Sequence, residues 1–388
     1  MKKIISEEKK PIKLWLDDIE ESAMQQARNL ANLPFTFKHV AIMPDSHLGY
    51  GMPIGGILAA DETIVPNAVG VDIGCGMCAL KTNYSQISRN NLEKIVNEIK
   101  RIVPVGFNWH KQAQNEQLLP VKSDKKEMPV VNEQYDKALH QAGTLGGGNH
   151  FIEIQKGNDG FIWIMIHSGS RNIGKRVAEQ YNKIAVNLNK KWSSTVPKEW
   201  QLAFLPIETD EAHQYFNEMQ YCVEFAFANR KLMMENVKKI FTGILTNVTF
   251  ADMINIAHNY AAREKHFGQN VIVHRKGATR AYENEIGIIP GSMGTKSYIV
   301  QGLGNPESFK SCSHGAGRAM GRKEAQRKLN LKAEIELMNS QGIIHGIESV
   351  KQLDEAPTAY KDIDIVMKNQ NDLVEILVEL KPLAVVKG

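Results

Sequence analysis

Residues 161–170 read Phe161-Ile162-Trp163-Ile164-Met165-Ile166-His167-Ser168-Gly169-Ser170. An apolar run this short, rich in aromatic and β-branched side chains, predicts a strand buried on both faces that stops at His167. It is the longest apolar run in the chain and falls far short of a bilayer span. Phe151-Ile152-Glu153-Ile154 and Val271-Ile272-Val273 read as further strands. Helical spacing marks Leu92, Ile95, Val96, Ile99 and Ile102, and helices are also expected over 175–191, 211–240 and 317–339. Strands and helices alternate without a regular βαβ period. The expectation is α+β: a single mixed α/β domain over 1–388, with 107–136, rich in Lys, Gln, Asn and Pro, as a surface excursion.

Between these elements glycine gathers in short loops, at 49–56, 70–76, 143–148, 169–174, 291–294 and 315–321. Glycine lets backbone approach a ligand closely or turn with positive φ, so an active site built from these loops at strand ends is expected. Asp72-Ile73-Gly74-Cys75 puts a carboxylate and a thiol in one such turn. His150 follows the triple glycine 146–148, His167 ends the buried strand, and His258 precedes Asn259. One Asp, one Cys and three His suit one or two divalent ions; thiolate and imidazole by softness alone favour zinc. Taken singly, each histidine is better explained as a hydrogen-bonded core or surface residue, and spacing cannot show that distant segments meet.

A second constellation is Cys312-Ser313-His314-Gly315-Ala316-Gly317-Arg318. Neutral imidazole could attack phosphorus, with glycine amides and Arg318 receiving the phosphate oxygens. On sequence alone, a glycine-rich turn before a basic helix is the better explanation. Gly169-Ser170-Arg171-Asn172-Ile173-Gly174-Lys175 imitates a phosphate-binding P-loop, but position 176 is Arg where a hydroxyl must hold magnesium, so a P-loop ATPase is excluded. Cys75 and Cys78 lack a second C-x-x-C, which argues against a zinc ribbon.

The 47 Lys and Arg against 43 Asp and Glu leave a net charge of +4, which permits an RNA partner without requiring one. Basic clusters occur at His274-Arg275-Lys276 with Arg280, and at Arg318, Arg322, Lys323, Arg327 and Lys328. Four cysteines do not make a disulfide framework, and the N-terminus has no apolar signal-peptide core. A cytoplasmic protein with no membrane association is expected.

Several stretches resemble one family, the RtcB RNA ligases, along nearly the whole chain. They are Met43-Pro44-Asp45-Ser46-His47-Leu48-Gly49, Gly70-Val71-Asp72-Ile73-Gly74-Cys75-Gly76-Met77, Gly146–Glu153 and His167-Ser168-Gly169-Ser170-Arg171. Arg275-Lys276-Gly277-Ala278, Pro290-Gly291-Ser292-Met293-Gly294, His314–Arg318 and the terminal Val386-Lys387-Gly388 complete the set. The resemblance implies GTP as co-substrate, two Mn²⁺ ions, and a covalent guanylyl group on His314. It implies joining of RNA 2′,3′-cyclic phosphate or 3′-phosphate ends to 5′-hydroxyl ends, in tRNA splicing or repair of tRNA or rRNA fragments. Cys75 would bridge the ions, with Asp72 and His150 on one and His167 and His258 on the other. Asn149, Glu153, Asn259, Pro290, Gly291, Ser292, Met293, Ser297, Gly315, Ala316, Gly317, Tyr360 and Lys387 would hold the nucleotide, Glu153 on the guanine edge. If 149–154 is extended, Asn149 and Glu153 share one face and His150 takes the other. Arg171, Lys276 and Arg318 are candidates for RNA or phosphate contacts; Asp45 and His47 carry no assigned role. A monomer is expected, with an archease-type activator as a further partner. The competing readings are a metal-dependent cyclic phosphodiesterase, an RNA-end capping enzyme, and a non-catalytic RNA-binding protein.

Overall fold

The expected central strand runs over Ile162–Ser168 and lies inside a seven-stranded antiparallel sheet. In spatial order the strands are Ile254–Ala257, Gly76–Lys81, Ile162–Ser168, Phe151–Gly157, Val374–Lys387, Ser297–Gly302 and Ile286–Ile289. A six-stranded sheet contains Lys3–Ile5, Ile12–Leu14, Thr36–His47, Ile54–Ala60, Gln269–Lys276 and Asn259–His266. The computed structural model describes all 388 residues.

Register places the site. Gly76 pairs with Ser168 on one side and with Ala257 on the other, while Phe151 pairs with both His167 and Lys387. Cys75, His150, His167 and His258 therefore emerge at one end of the sheet, and the His258 amide donates to the Cys75 carbonyl at 2.8 Å. Ser313 pairs with Ala278 in a two-stranded ribbon, and His314 is the next residue.

The helix Asp210–Ile244 is the spine behind these loops. Thr209 caps it by accepting from the Ala212 amide. Its buried Arg230 donates to the carbonyls of Gly74 at 3.0 Å and Ser168 at 2.8 Å. Neighbouring Asn229 accepts from the Gly143 amide and donates to the Gly169 carbonyl. Two residues on one turn thus fasten three glycine loops whose backbone groups would otherwise be buried unpaired.

The helices expected at 175–191 and 211–240 run over Arg171–Lys191 and Asp210–Ile244. The single helix expected over 317–339 is instead two, Arg322–Lys328 and Leu331–Ser340. Gly317 sits at φ 72°, packed on the Asp45 backbone, and Asn330 starts the second helix by accepting from the Lys332 and Ala333 amides. The excursion is shorter than expected: Pro129–Gln141 is a helix whose Val131 and Ala138 are buried. His274, Arg275 and Lys276 are not a surface cluster, because all three are buried in the six-stranded sheet. No helix is long and apolar enough to cross a membrane.

Candidate active site

A cavity of about 660 Å³ opens where the ends of the two sheets meet. Asp72, Cys75, His167, His258 and His314 line it, together with Asn149, Glu153, Asn259, Pro290, Gly291, Ser292, Met293, Gly315, Ala316, Gly317, Tyr360 and Lys387. The strand parity is as expected there: Asn149, Phe151 and Glu153 face the cavity and His150 lies behind it. Ser297 is also behind the wall, where its hydroxyl accepts from the Gly291 amide at 3.2 Å and from Gln155 at 3.1 Å. Cys78 is a buried core residue on the strand beyond Cys75.

Two overlapping sets of donors share Cys75. Asp72, Cys75 and His150 form one, and Cys75, His167 and His258 the other, with ligand atoms within 4.8 Å of one another in each. Their hydrogen bonds reveal how the lone pairs point. His150 Nδ1 is 3.0 Å from the Leu145 carbonyl and His167 Nδ1 is 3.1 Å from the Asn149 carbonyl. A carbonyl can only accept, so His167 Nδ1 carries the proton and its Nε2 presents a lone pair. His150 Nε2 then faces Asp72 Oδ2 at 3.2 Å and Cys75 Sγ at 3.5 Å, and His167 Nε2 faces the same sulfur at 3.3 Å. An Arg171 guanidinium N–H is also aimed at His150 Nδ1, at 3.1 Å, so a donor and the Leu145 carbonyl meet at that one nitrogen.

Burial lowers the basicity of His150, His167 and His258, so the imidazoles are neutral. Burial, with the Asp72 charge, pushes the Cys75 thiol well up. His258 Nδ1 is buried with no hydrogen-bond partner. One thiol proton cannot satisfy all these converging acceptors. A divalent cation would, so the donor set fits a metal.

His314 is oriented by a residue to which the sequence assigns no role. Asp45 Oδ2 accepts from His314 Nδ1 at 2.7 Å and from the backbone amides of His314 at 3.0 Å and Gly315 at 3.3 Å. Burial alone would raise the Asp45 carboxyl, but His314, with His47 and Lys361, holds it below the usual range. With Nδ1 protonated, Nε2 is the free nucleophilic nitrogen, and the ring stands 4.8 Å from that of His258.

Across the cavity, buried Glu355 gathers Arg318 at 3.2 Å, Lys387 at 3.3 Å, Arg322 at 3.5 Å and the Tyr360 hydroxyl. It sits in Leu353-Asp354-Glu355-Ala356, where no pattern marks it. Burial raises the Glu153 carboxyl to about 8, against the pull of Lys387 and a hydrogen bond from Gln155. Burial also lowers Lys276 to about 7; its ammonium donates to the carbonyls of Tyr50 at 2.6 Å and Asn67 at 3.0 Å. Asn259 is committed to backbone, donating to the Asp72 carbonyl and accepting from the Gly277 amide.

The family model for the tRNA-splicing ligase RtcB matches residues 26–388. The chain belongs to the RtcB family. It is 39% identical to the RNA-splicing ligase RtcB of Escherichia coli K12, over 99% of each chain. It is 31% identical to the tRNA-splicing ligase RtcB of Nanoarchaeum equitans, covering 97% of this chain and 95% of that one. The corresponding protein of Thermococcus kodakarensis is 30% identical, over 95% and 92%. The RtcB match covers the whole seven-stranded sheet and four strands of the six-stranded one, so the histidine cluster and the His314 loop lie within one matched unit.

Proposed function

We propose that this chain is a GTP- and Mn²⁺-dependent RNA ligase that seals RNA 3′-phosphate or 2′,3′-cyclic phosphate ends to 5′-hydroxyl ends in tRNA splicing or RNA repair. The observation that carries the reading is His314. Its Nδ1 is bound to Asp45, its Nε2 is free, and it stands beside the electron-rich cluster in a cavity large enough for a nucleotide. Family membership and the relatives' names support the same reading.

Asp72, Cys75 and His150 would hold one ion and Cys75, His167 and His258 the other. Bound there, they supply positive charge that polarises the transferring phosphate. Glu153, as carboxylate, accepts from the guanine N–H edge, and Lys387 balances its charge. His314 Nε2 attacks the α-phosphorus of GTP; the N–P bond forms, the bond to the bridging oxygen breaks, and pyrophosphate leaves. Asp45 keeps the Nδ1 proton throughout. Water opens a cyclic end to the 3′-phosphate, whose oxygen takes the GMP from His314. The 5′-hydroxyl oxygen then attacks the 3′-phosphorus, and GMP leaves as the phosphodiester forms. Activation is needed because a 3′-phosphate is a poor electrophile without a good leaving group. Under this reading residues 1–388 act as one domain, as a cytoplasmic monomer, with an archease-type activator as an optional partner.

The test is incubation with Mn²⁺ and α-³²P-GTP beside His314→Ala. Acid-labile label on the wild type alone is expected. No label on folded, metal-loaded wild type would sink the ligase mechanism and favour a cyclic phosphodiesterase, which needs the metal ligands but not His314.

A further inference from the structure

Between the helices ending at Ile102 and starting at Pro129, the chain leaves Phe107, Trp109, Leu118 and Val121 exposed to water. Single exposed hydrophobics need no explanation. Here they are concentrated, and Phe107, fully exposed, stands on a built turn. Asn108 closes that turn by donating to the Val105 carbonyl through its backbone at 3.2 Å and its side chain at 3.1 Å. Gly106 takes φ 64° to make it.

The turn is fastened to the active-site wall. The Gly106 amide donates to the Gly146 carbonyl at 2.9 Å, and the His110 amide donates to the His140 carbonyl at 3.0 Å. Gly106 Cα lies 3.6 Å from where a Cβ on Gly147 would stand. Two residues further, Asn149 lines the cavity. On the same loop the Arg322 guanidinium lies 3.4 Å from the position of a Gly148 Cβ; Arg322 also lines the cavity, with its side chain 55% exposed.

An aromatic ring held out into water by a pinned turn adds nothing to folding stability, yet it offers a rigid π-face at low entropic cost. Its setting selects the occupant. Arg322 and Lys387 stand at the adjoining cavity, Lys111 lies between Trp109 and Leu118, and Lys122, Lys125 and Lys126 follow Val121. An apolar helix would need a continuous groove. A single strand of RNA presents stackable bases along a polyanion, which is what an aromatic beside cations accommodates.

We propose that Phe107, with Trp109 beside it, is a stacking platform for unpaired bases of the RNA strand whose end enters the cavity; this rests on the ligase reading. The test is binding of a short single-stranded RNA with a 3′-phosphate to the full chain, measured by fluorescence anisotropy. Phe107→Ala and Phe107→Leu should each weaken binding about tenfold, while Phe107→Tyr stays within about twofold of wild type. The dependence on salt should not change, since no phosphate contact is removed, and His314 labelling should be untouched. Tryptophan emission should be quenched as wild type saturates with RNA, and that quenching should disappear in Trp109→Phe, which leaves the other four tryptophans in place. Wild-type affinity in Phe107→Ala would overturn the platform alone. Wild-type affinity in Phe107→Leu, with loss in Ala, would overturn stacking in favour of plain apolar docking. A wild type that is labelled by GTP but binds no RNA would overturn both this proposal and the RNA substrate.

Discussion

Two buried clusters of histidine, carboxylate and arginine lie in this molecule, and they differ in one respect. In the first, Arg275 donates to both oxygens of Glu264, at 2.5 and 3.0 Å, to the Ser311 hydroxyl at 2.9 Å and to the Phe309 carbonyl at 3.1 Å. His266 and the Tyr282 hydroxyl complete the carboxylate at 2.9 and 3.0 Å. Burial alone would raise Glu264, but Arg275 and His266 hold it well below its usual range, and no buried polar atom of the three lacks a partner. In the second, around Cys75, a nitrogen from each of two imidazoles, a carboxylate and a sulfur converge, and His258 Nδ1 and Arg171 Nε are orphaned. Burial and residue type are shared. The balance of donors against acceptors distinguishes a cluster closed on itself from one built for a ligand.

The largest effect that would break this contrast is at Cys75. Cys75→Ala should retain little metal by elemental analysis and lose ligation below detection. Its metal-free form should unfold at the same denaturant concentration as metal-free wild type, or higher. A loss of several kcal/mol would mean that the cluster is structural after all.

Next is Asp45→Asn. An amide can donate to His314 Nδ1 and reverse its tautomer, so the rate of guanylylation should fall about 10³-fold with the circular dichroism unchanged. Labelling at the wild-type rate would remove Asp45 from the mechanism.

The closed cluster makes the opposite forecast. Arg275→Met leaves the buried Glu264 without its arginine partner, held only by His266 and the Tyr282 hydroxyl, and urea unfolding should show a loss of about 3–5 kcal/mol, partly recovered by adding Glu264→Gln. A loss under about 1 kcal/mol would contradict the role given to that network.

The smallest effect is in pH. Guanine recognition needs the Glu153 carboxylate, whereas burial keeps it protonated below about 8. The KM for GTP should therefore rise about tenfold per pH unit as pH falls below that value, and flatten as pH rises above it. In Glu153→Gln the profile should be flat; an unchanged slope would point to another titrating group.

The sequence carried more of this site than of its supports. Asp72, Cys75, His150 and His167 stand out as a set because each lies where an apolar strand meets a glycine loop, a local pattern; His258 has no glycine beside it. Asp45 and Glu355 escaped a role because their charged partners are remote in sequence: Asp45 meets His314 across 269 positions and Glu355 meets Arg318 across 37. Arg275 and Lys276 read as surface charge for the same reason, since their burial depends on which strands cover them.

Local periodicity and loop chemistry by themselves marked three of the strands, the three longest helices, the residue types of a metal cluster and, through ordered motifs, the family. Only the tertiary structure decided that Gly76 pairs with both Ser168 and Ala257, bringing four strand ends to one place. It also decided which nitrogen of each histidine faces inward. Periodicity is set by neighbours a few residues apart, whereas register, tautomer and burial are set by groups that meet only when the chain has folded.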